Sequence, residues 1–237
     1  MKHLISLSDW SKDDLERLLE LAVQLKAEWR SGGNAPVLAG KVLAMVFQKP
    51  SLRTRVSFEM AMKHLGGDAM MLGPSEIGLG KRESIGDVAR VLSGYVQGIM
   101  ARVFDHDHVV QLARYASVPV INGLSDDRHP CQALADILTI HERFGSLQGL
   151  KFAFVGDGNN VAASSLIACA KYGLDFAIAS PPGYALEGDV IEEARGISDI
   201  KVETFLEPED AVRDADVVYT DTWVSMGQED EVAQRLA

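Results

Sequence analysis

Lys41-Val42-Leu43-Ala44-Met45-Val46-Phe47-Gln48 runs directly into Lys49-Pro50-Ser51-Leu52-Arg53-Thr54-Arg55. The first stretch is an apolar run of strand length without helical period. After the second, Phe58, Ala61, Met62 and Leu65 mark one face of a helix that Gly66-Gly67 closes. A strand that gives way at once to a helix is the signature of an α/β unit. The helix N-terminus offers unpaired N–H groups and the positive end of the macrodipole. Arg53 and Arg55 add fixed forks of donors suited to a phosphate dianion. Taken alone, the stretch reads equally as a capped helix carrying surface arginines.

Outward from this segment the same alternation continues. Strands are expected at 41–48, 69–72, 98–103, 118–121, 151–155, 174–180, 200–205 and 216–220, with helices of ordinary length between them. Ser11 caps a first helix, with Asp13 and Asp14 in its first turn and Leu15, Leu18, Leu19 and Ala22 as its apolar stripe. A helix from about Pro130 to Phe144 bridges two halves, and a boundary falls near Gly145–Gly149. The expected architecture is α/β, with two domains, 1–145 and 146–237, each a parallel sheet flanked by helices. Asp230 to Ala237 starts a helix, with Val232 and Leu236 on one face, and stops without a C-cap, so the second domain reads as incomplete.

The chain has 237 residues, 47% of them hydrophobic, enough for one large or two modest domains with a real core. No apolar run approaches the roughly 18 residues of a membrane span, and the N-terminus turns polar too early for a secretory signal. Two cysteines, Cys131 and Cys169, lack metal-ligand spacing, so neither a disulfide framework nor a zinc site is expected and a reducing cytoplasm is the default. A net charge of −11 argues against a nucleic-acid partner. It also gives local arginine clusters more weight, because an anionic ligand would otherwise be repelled.

Gly156-x-Gly158 after a strand suggests a dinucleotide loop, but Val161 occupies the position where glycine or alanine is needed for close helix packing. The loop instead brings Asn159 or Asn160 to the crevice outside the strand's carboxyl end. His129-Pro130-Cys131-Gln132 follows Val118 to Gly123, read as a strand and its turn. Pro130 suits a first helical turn, holding His129 and Gln132 at one helix start, though a capping histidine with a surface glutamine is the plainer reading. Cys131 has no evident activating partner and reads as a small buried residue. Arg102 ends an apolar strand. Beside Arg53 and Arg55 it would complete a three-guanidinium cage, converging with His129; alone it is a solvated terminus. Gly78 to Ser84 is a glycine-rich basic loop, a lid, an intersubunit arm or an ordinary surface loop. Asp221 either grips a substrate ammonium or caps a helix.

The ordered set SLRTR, RESIGDVARVLSGY, VPVINGLSD, HPCQALAD, GDGNNVA and DTWVSMGQE resembles the aspartate/ornithine carbamoyltransferase family over essentially the whole chain. SxRTR and HPxQ are shared across that family; the SMGQE and DGNN segments resemble its ornithine type. The resemblance implies transfer of a carbamoyl group from carbamoyl phosphate to the δ-amine of L-ornithine, giving L-citrulline and phosphate, in arginine metabolism. The domain at 1–145 would then bind carbamoyl phosphate and that at 146–237 ornithine. It implies that Ser51, Leu52 (through its backbone), Arg53 and Thr54 hold the phosphate. Arg102 would bridge phosphate and carbamoyl oxygen, His129 would donate to that oxygen, and Gln132 would orient the carbamoyl amide. Thr54, Arg102 and His129 would be the catalytic donors; Asn160, Asp221, Ser225 and Met226 would bind ornithine. No metal or organic cofactor is implied. A homotrimer or a multiple of trimers is, in which Gly78–Arg82 matches a loop that completes a neighbouring site. A glutamine found near Gly78 in some relatives is missing, which shifts that contact to Lys81.

The family's His-Cys-Leu-Pro segment, a later arginine contact and its final helix are not in the sequence, so the polypeptide is expected to turn over poorly. The alternatives left open are a non-catalytic carbamoyl phosphate-binding fragment and a carbamoyltransferase for another amino acid such as aspartate, which Asp221 would repel.

Overall fold

The computed structural model describes residues 2–222, and two compact units divide after Leu138. In the first, Ser11 accepts from the Asp14 N–H to start α1 (Lys12–Arg30). β1 (Val42–Phe47), α2 (Leu52–His64), β2 (Asp68–Leu72), the short α3 (Pro74–Ile77), α4 (Ile85–Ser93), β3 (Gly98–Arg102), α5 (His106–Tyr115), β4 (Val120–Leu124) and α6 (Pro130–Phe144) follow. The strands form a parallel sheet in the order β2-β1-β3-β4. α6 runs through the division between the units.

The central strands are apolar because both faces are covered, as a parallel sheet requires. Alternate residues go to opposite sides. Leu43, Met45, Phe47 and Met100 pack with Met62 of α2. Ala44, Val46, Ile99 and Ala101 pack with Ile85, Val88, Val109 and Leu112 of α4 and α5. Each large buried side chain of this kind contributes roughly 1.5–3 kcal/mol. The edge of β4 is covered by the N-terminal segment, where Leu4 bridges to Ile121 and its N–H donates to the Val120 carbonyl at 2.9 Å.

β4 departs from its expected position at 118–121. Pro119 cannot donate to a ladder, so pairing starts at Val120, runs to Asn122 and resumes at Leu124, with Gly123, expected to turn, set in a bulge between them. A Cβ at Gly123 would lie 2.5 Å from the Met100 sulfur, so a side chain there would force the buried Met100 to shift.

In the second unit, β5 (Lys151–Val155), α7 (Asn160–Tyr172), β6 (Asp175–Ala179), α8 (Gly188–Ile197), β7 (Val202–Phe205), α9 (Pro208–Val212) and β8 (Val217–Thr220) build a parallel sheet of order β7-β6-β5-β8. α7 is buried all round from Val161 to Ala170. Its run of Ala, Ser and Cys lets it lie close to its neighbours, so it carries little amphipathic signal. The parallel α/β architecture in two units is as expected from the sequence.

Candidate functional site

In the first sheet the strand order reverses at β1: the chain leaves β1 for β2 on one side and returns to β3 on the other. Open α/β sheets bind ligands in the crevice at the carboxyl ends of strands flanking such a reversal. Phe47 and Arg102 are register partners there, and the Gln48 N–H donates to the Arg102 carbonyl at 2.8 Å. The loop carrying Ser51, Arg53 and Thr54 therefore begins beside Arg102.

Ser51 is the N-cap of α2; its hydroxyl accepts from the Thr54 N–H at 3.3 Å. Helix geometry leaves the Leu52 and Arg53 N–H groups without an intrahelical acceptor. Arg102 is 6% exposed, and its Nη1 donates to the Thr54 hydroxyl at 3.3 Å. Its Nε is buried without a hydrogen-bond partner among the described residues. Burial and, second, the nearby Arg53 charge push the Arg102 guanidinium below its usual range. Among the described residues neither arginine has a carboxylate partner. A buried cation without a counter-charge is costly, and an anion would relieve that cost.

Burial, then Arg102, brings the His129 imidazole down to about 4. At neutral pH it is uncharged and has one N–H to give, a hydrogen-bond donor rather than an acid. Gln132, one turn into α6, donates its amide N–H to Asp136 Oδ1 at 3.0 Å. The Cys131 thiol is pushed up to about 12 by burial and donates to the Asn122 carbonyl at 3.4 Å, which suits a small structural residue and not a nucleophile.

Arg55 does not join this group. It lies half-exposed on α2 and pairs with Glu59 at 3.7 Å. Residues two apart on a helix do not share a face, so the expected cage of three guanidiniums is a pair, Arg53 and Arg102.

The sequence reading missed what ties the loops together. Lys49 is 6% exposed, forms an ion pair with Asp126, and lies 4.5 Å from the Phe104 ring centroid. Lys49 follows β1, Phe104 follows β3 and Asp126 follows β4, so one ammonium joins the loops that hold Thr54, Arg102 and His129. Ser125 tightens the last of these: its hydroxyl accepts from the Arg128 N–H at 3.2 Å and lies 2.7 Å from His106 Nδ1. A lysine set between an apolar strand and a helix start was the available signal. The Gly78–Arg82 loop is anchored at its base, where Leu79 is buried and its carbonyl accepts from Gln48 Nε2 at 3.2 Å. Lys81 and Arg82 are exposed.

The second sheet reverses at β5, between β6 and β8. Val155 and Thr220 are register partners at that edge. Asn159 is the N-cap of α7, accepting from the Val161 and Ala162 N–H groups at 2.9 and 3.2 Å. Its Nδ2 donates to Asp221 Oδ2 at 3.0 Å, and Asp221 Oδ1 accepts from the Thr222 N–H at 2.7 Å. Asn160 is the first residue of α7. Ser225 and Met226 lie outside the described residues, as does the helix expected from Asp230. Gly158 does not make room for a dinucleotide: a Cβ would lie 2.3 Å from the Leu186 backbone nitrogen, and the Gly158 N–H donates to the Tyr184 carbonyl at 2.8 Å. The chain's own loop fills the space that a pyrophosphate would need.

The aspartate/ornithine carbamoyltransferase carbamoyl-P binding domain matches residues 2–142, and the Asp/Orn binding domain of that family matches residues 148–237. An ornithine carbamoyltransferase of Anoxybacillus flavithermus is 52% identical over 238 residues, which cover 99% of this chain and 76% of that protein. One from Pyrococcus abyssi is 52% identical over 237 residues, covering 99% and 75%. The structure of ornithine carbamoyltransferase from Pyrococcus furiosus superposes with a TM-score of 0.95 at 51% identity, covering 99% of this chain and 76% of that one.

Proposed function

The chain belongs to the aspartate/ornithine carbamoyltransferase family, and from that premise we propose that it transfers the carbamoyl group of carbamoyl phosphate to the δ-amine of L-ornithine, releasing L-citrulline and phosphate. The observation that carries this reading is Arg102, a buried guanidinium at a strand-order reversal with no carboxylate partner among the described residues, held against Thr54 and beside Arg53.

In this reading the first turn of α2 binds the phosphoryl group through the Ser51 and Thr54 hydroxyls, the Leu52 N–H and the Arg53 guanidinium. Arg102 spans phosphate and carbamoyl oxygen, and the neutral His129 donates its N–H to that oxygen. Gln132 orients the carbamoyl NH2. Asn160 and Asp221, with Ser225 and Met226, bind ornithine.

The δ-amine attacks the carbamoyl carbon. Deprotonating an alkyl amine with a lysine-like pKa at pH 7 costs roughly 4–5 kcal/mol. Positioning two bound reactants can supply about 7–11 kcal/mol. Negative charge then gathers on the carbamoyl oxygen, where Thr54, Arg102 and His129 are donors; losing one such donor typically costs about 2.7–4 kcal/mol. The departing phosphate takes the amine proton.

We place the reaction in arginine metabolism in the cytoplasm and the chain in a homotrimer or a multiple of trimers. Leu52, Val56 and Met60 support an assembly, since they repeat at one helical face of α2 and are 78%, 47% and 40% exposed. No described helix is long and apolar enough to cross a membrane. The test is a carbamoylation assay with ornithine, N-acetylornithine and aspartate offered in turn: citrulline from ornithine alone supports the reading, and carbamoyl aspartate overturns it. Val56→Glu should lower the sedimentation mass if the stripe is an interface.

A further inference from the structure

Asp136 plays no part in the chemistry just described, yet its environment is unusual. It stands one turn beyond Gln132 on α6, with Oδ1 accepting the Gln132 amide N–H at 3.0 Å. Its other oxygen, Oδ2, is buried and has no hydrogen-bond partner among the described residues. Burial raises the carboxyl to about 6, against a lowering by the Gln132 bond. A side chain kept for packing alone would not need a carboxylate in so dry a place.

A primary amide presents an acceptor on one edge and donors on the other, and the two exchange when it flips. A carboxylate beside the amide removes that freedom. It accepts from Nε2 and would repel Oε1, so the oxygen must occupy the edge turned away from Asp136. That matters for a carbamoyl group, whose NH2 needs an acceptor.

We propose that Asp136 is a positioning residue for the carbamoyl subsite: it fixes the Gln132 amide so that Oε1 faces the carbamoyl NH2. Asp136 touches no substrate atom and acts only through Gln132. The proposal rests on the reading of Gln132 given above, and it places discrimination between carbamoyl phosphate and free phosphate in this side-chain pair. A flipped amide would offer N–H to N–H and would favour the ligand without the carbamoyl group.

Calorimetry separates the two ideas with two probes: phosphonoacetamide, which keeps the carbamoyl amide on a stable phosphonate, and inorganic phosphate, which lacks it. The ratio of the two affinities is the readout, because a loss of fold would weaken both. Gln132→Ala is expected to lower that ratio at least tenfold. Asp136→Ala should lower it about tenfold with phosphate affinity within twofold, and should add nothing in the Gln132→Ala background, since a residue acting solely through another shows full coupling. Asp136→Asn, which keeps an acceptor for Nε2, should restore most of the ratio. An unchanged ratio in Asp136→Ala beside a reduced one in Gln132→Ala overturns the proposal and leaves the Gln132 reading standing. An unchanged ratio in Gln132→Ala overturns that reading, and this proposal with it. Additive losses in the double variant, or equal losses of both ligands in Asp136→Ala, show a general structural role and overturn the proposal alone.

Discussion

The two sheets put their polar residues at the same topological place, the carboxyl edge beside the strand where the order reverses, and they treat that place in opposite ways. In the first unit Arg102 is buried with one neutral partner, the Thr54 hydroxyl, beside a second unpaired arginine. In the second, Asn159 and Asp221 bond to each other, and each also accepts from nearby backbone N–H groups. Topology therefore supplies a location, and the satisfaction of the side chains decides what that location does. A reversal holding a buried guanidinium that meets no carboxylate among the described residues is left needing an anion. One closed by an amide–carboxylate bond is shaped without a ligand and keeps its spare lone pairs for one.

The strongest way to break this contrast is Arg102→Leu. Phosphonoacetamide affinity is expected to fall at least a hundredfold, as loss of a donor worth about 2.7–4 kcal/mol requires. The ligand-free unfolding midpoint should not fall, because a costly buried charge has gone. A large drop in the ligand-free midpoint would mean that the charge is already paired. The same contrast predicts that phosphonoacetamide at a hundred times its Kd stabilises the parent by about 2.7 kcal/mol in urea titrations, and that Arg102→Leu loses this gain.

Asn159→Ala should act the other way round. It removes the cap of α7 and the bond to Asp221, so about 0.5–2 kcal/mol of stability should be lost, while titration with phosphonoacetamide gives the parent's affinity. Lys49→Met sharpens the comparison within the first unit. Asp126 is 59% exposed and stays solvated when its partner goes, so the stability change should stay below about 1 kcal/mol. The loops bearing Thr54, Arg102 and His129 would lose their common tie, and phosphonoacetamide binding should weaken about tenfold.

The narrowest test concerns acid stability. His129 titrates near 4 in the folded chain and near 6.5 when unfolded, so the unfolded state takes up its proton first and stability falls as pH drops from 6.5 towards 4. Asp136 is reversed, near 6 folded against 3.8 unfolded; there the folded state takes up the proton first and stability rises over the same descent. Asp136→Asn removes the second slope. Relative to the parent, the variant should lose on the order of 1 kcal/mol per pH unit between pH 6 and 4, measured as urea midpoints at three pH values. A constant difference between variant and parent across that range would show that Asp136 is not held in its raised state.

The fold was legible because most strands and helices declare themselves locally. Val42–Phe47 is too short and too evenly apolar to be anything but a covered strand, and Ser11 caps the helix that follows it; that Ser51 and Asn159 are also caps emerged with the structure. β4 is expected too early because Asn122-Gly123 has the composition of a turn, and only the sheet shows that this glycine sits in a bulge packed against the Met100 side chain. Ser51, Arg53, Thr54, Arg102 and His129 could be singled out in sequence, since charged and hydroxyl residues at strand ends and helix starts are informative by position. Arg55 was overread for the same reason, as a motif does not say on which side of a helix its arginine emerges.

Sequence alone determined the alternation of strands and helices, the division into two units and the residue types offered at each strand's carboxyl end. Those are consequences of periodicity, capping and turn chemistry over a few neighbouring residues. Tertiary structure alone decided which charges are compensated: that Lys49 is neutralised by Asp126, that Arg55 is taken by Glu59, that Asn159 is bound to Asp221, and that Arg102 meets no carboxylate among the described residues. Burial and pairing depend on residues brought together from distant parts of the chain, and a buried charge has the energy of its surroundings rather than of its position in the sequence.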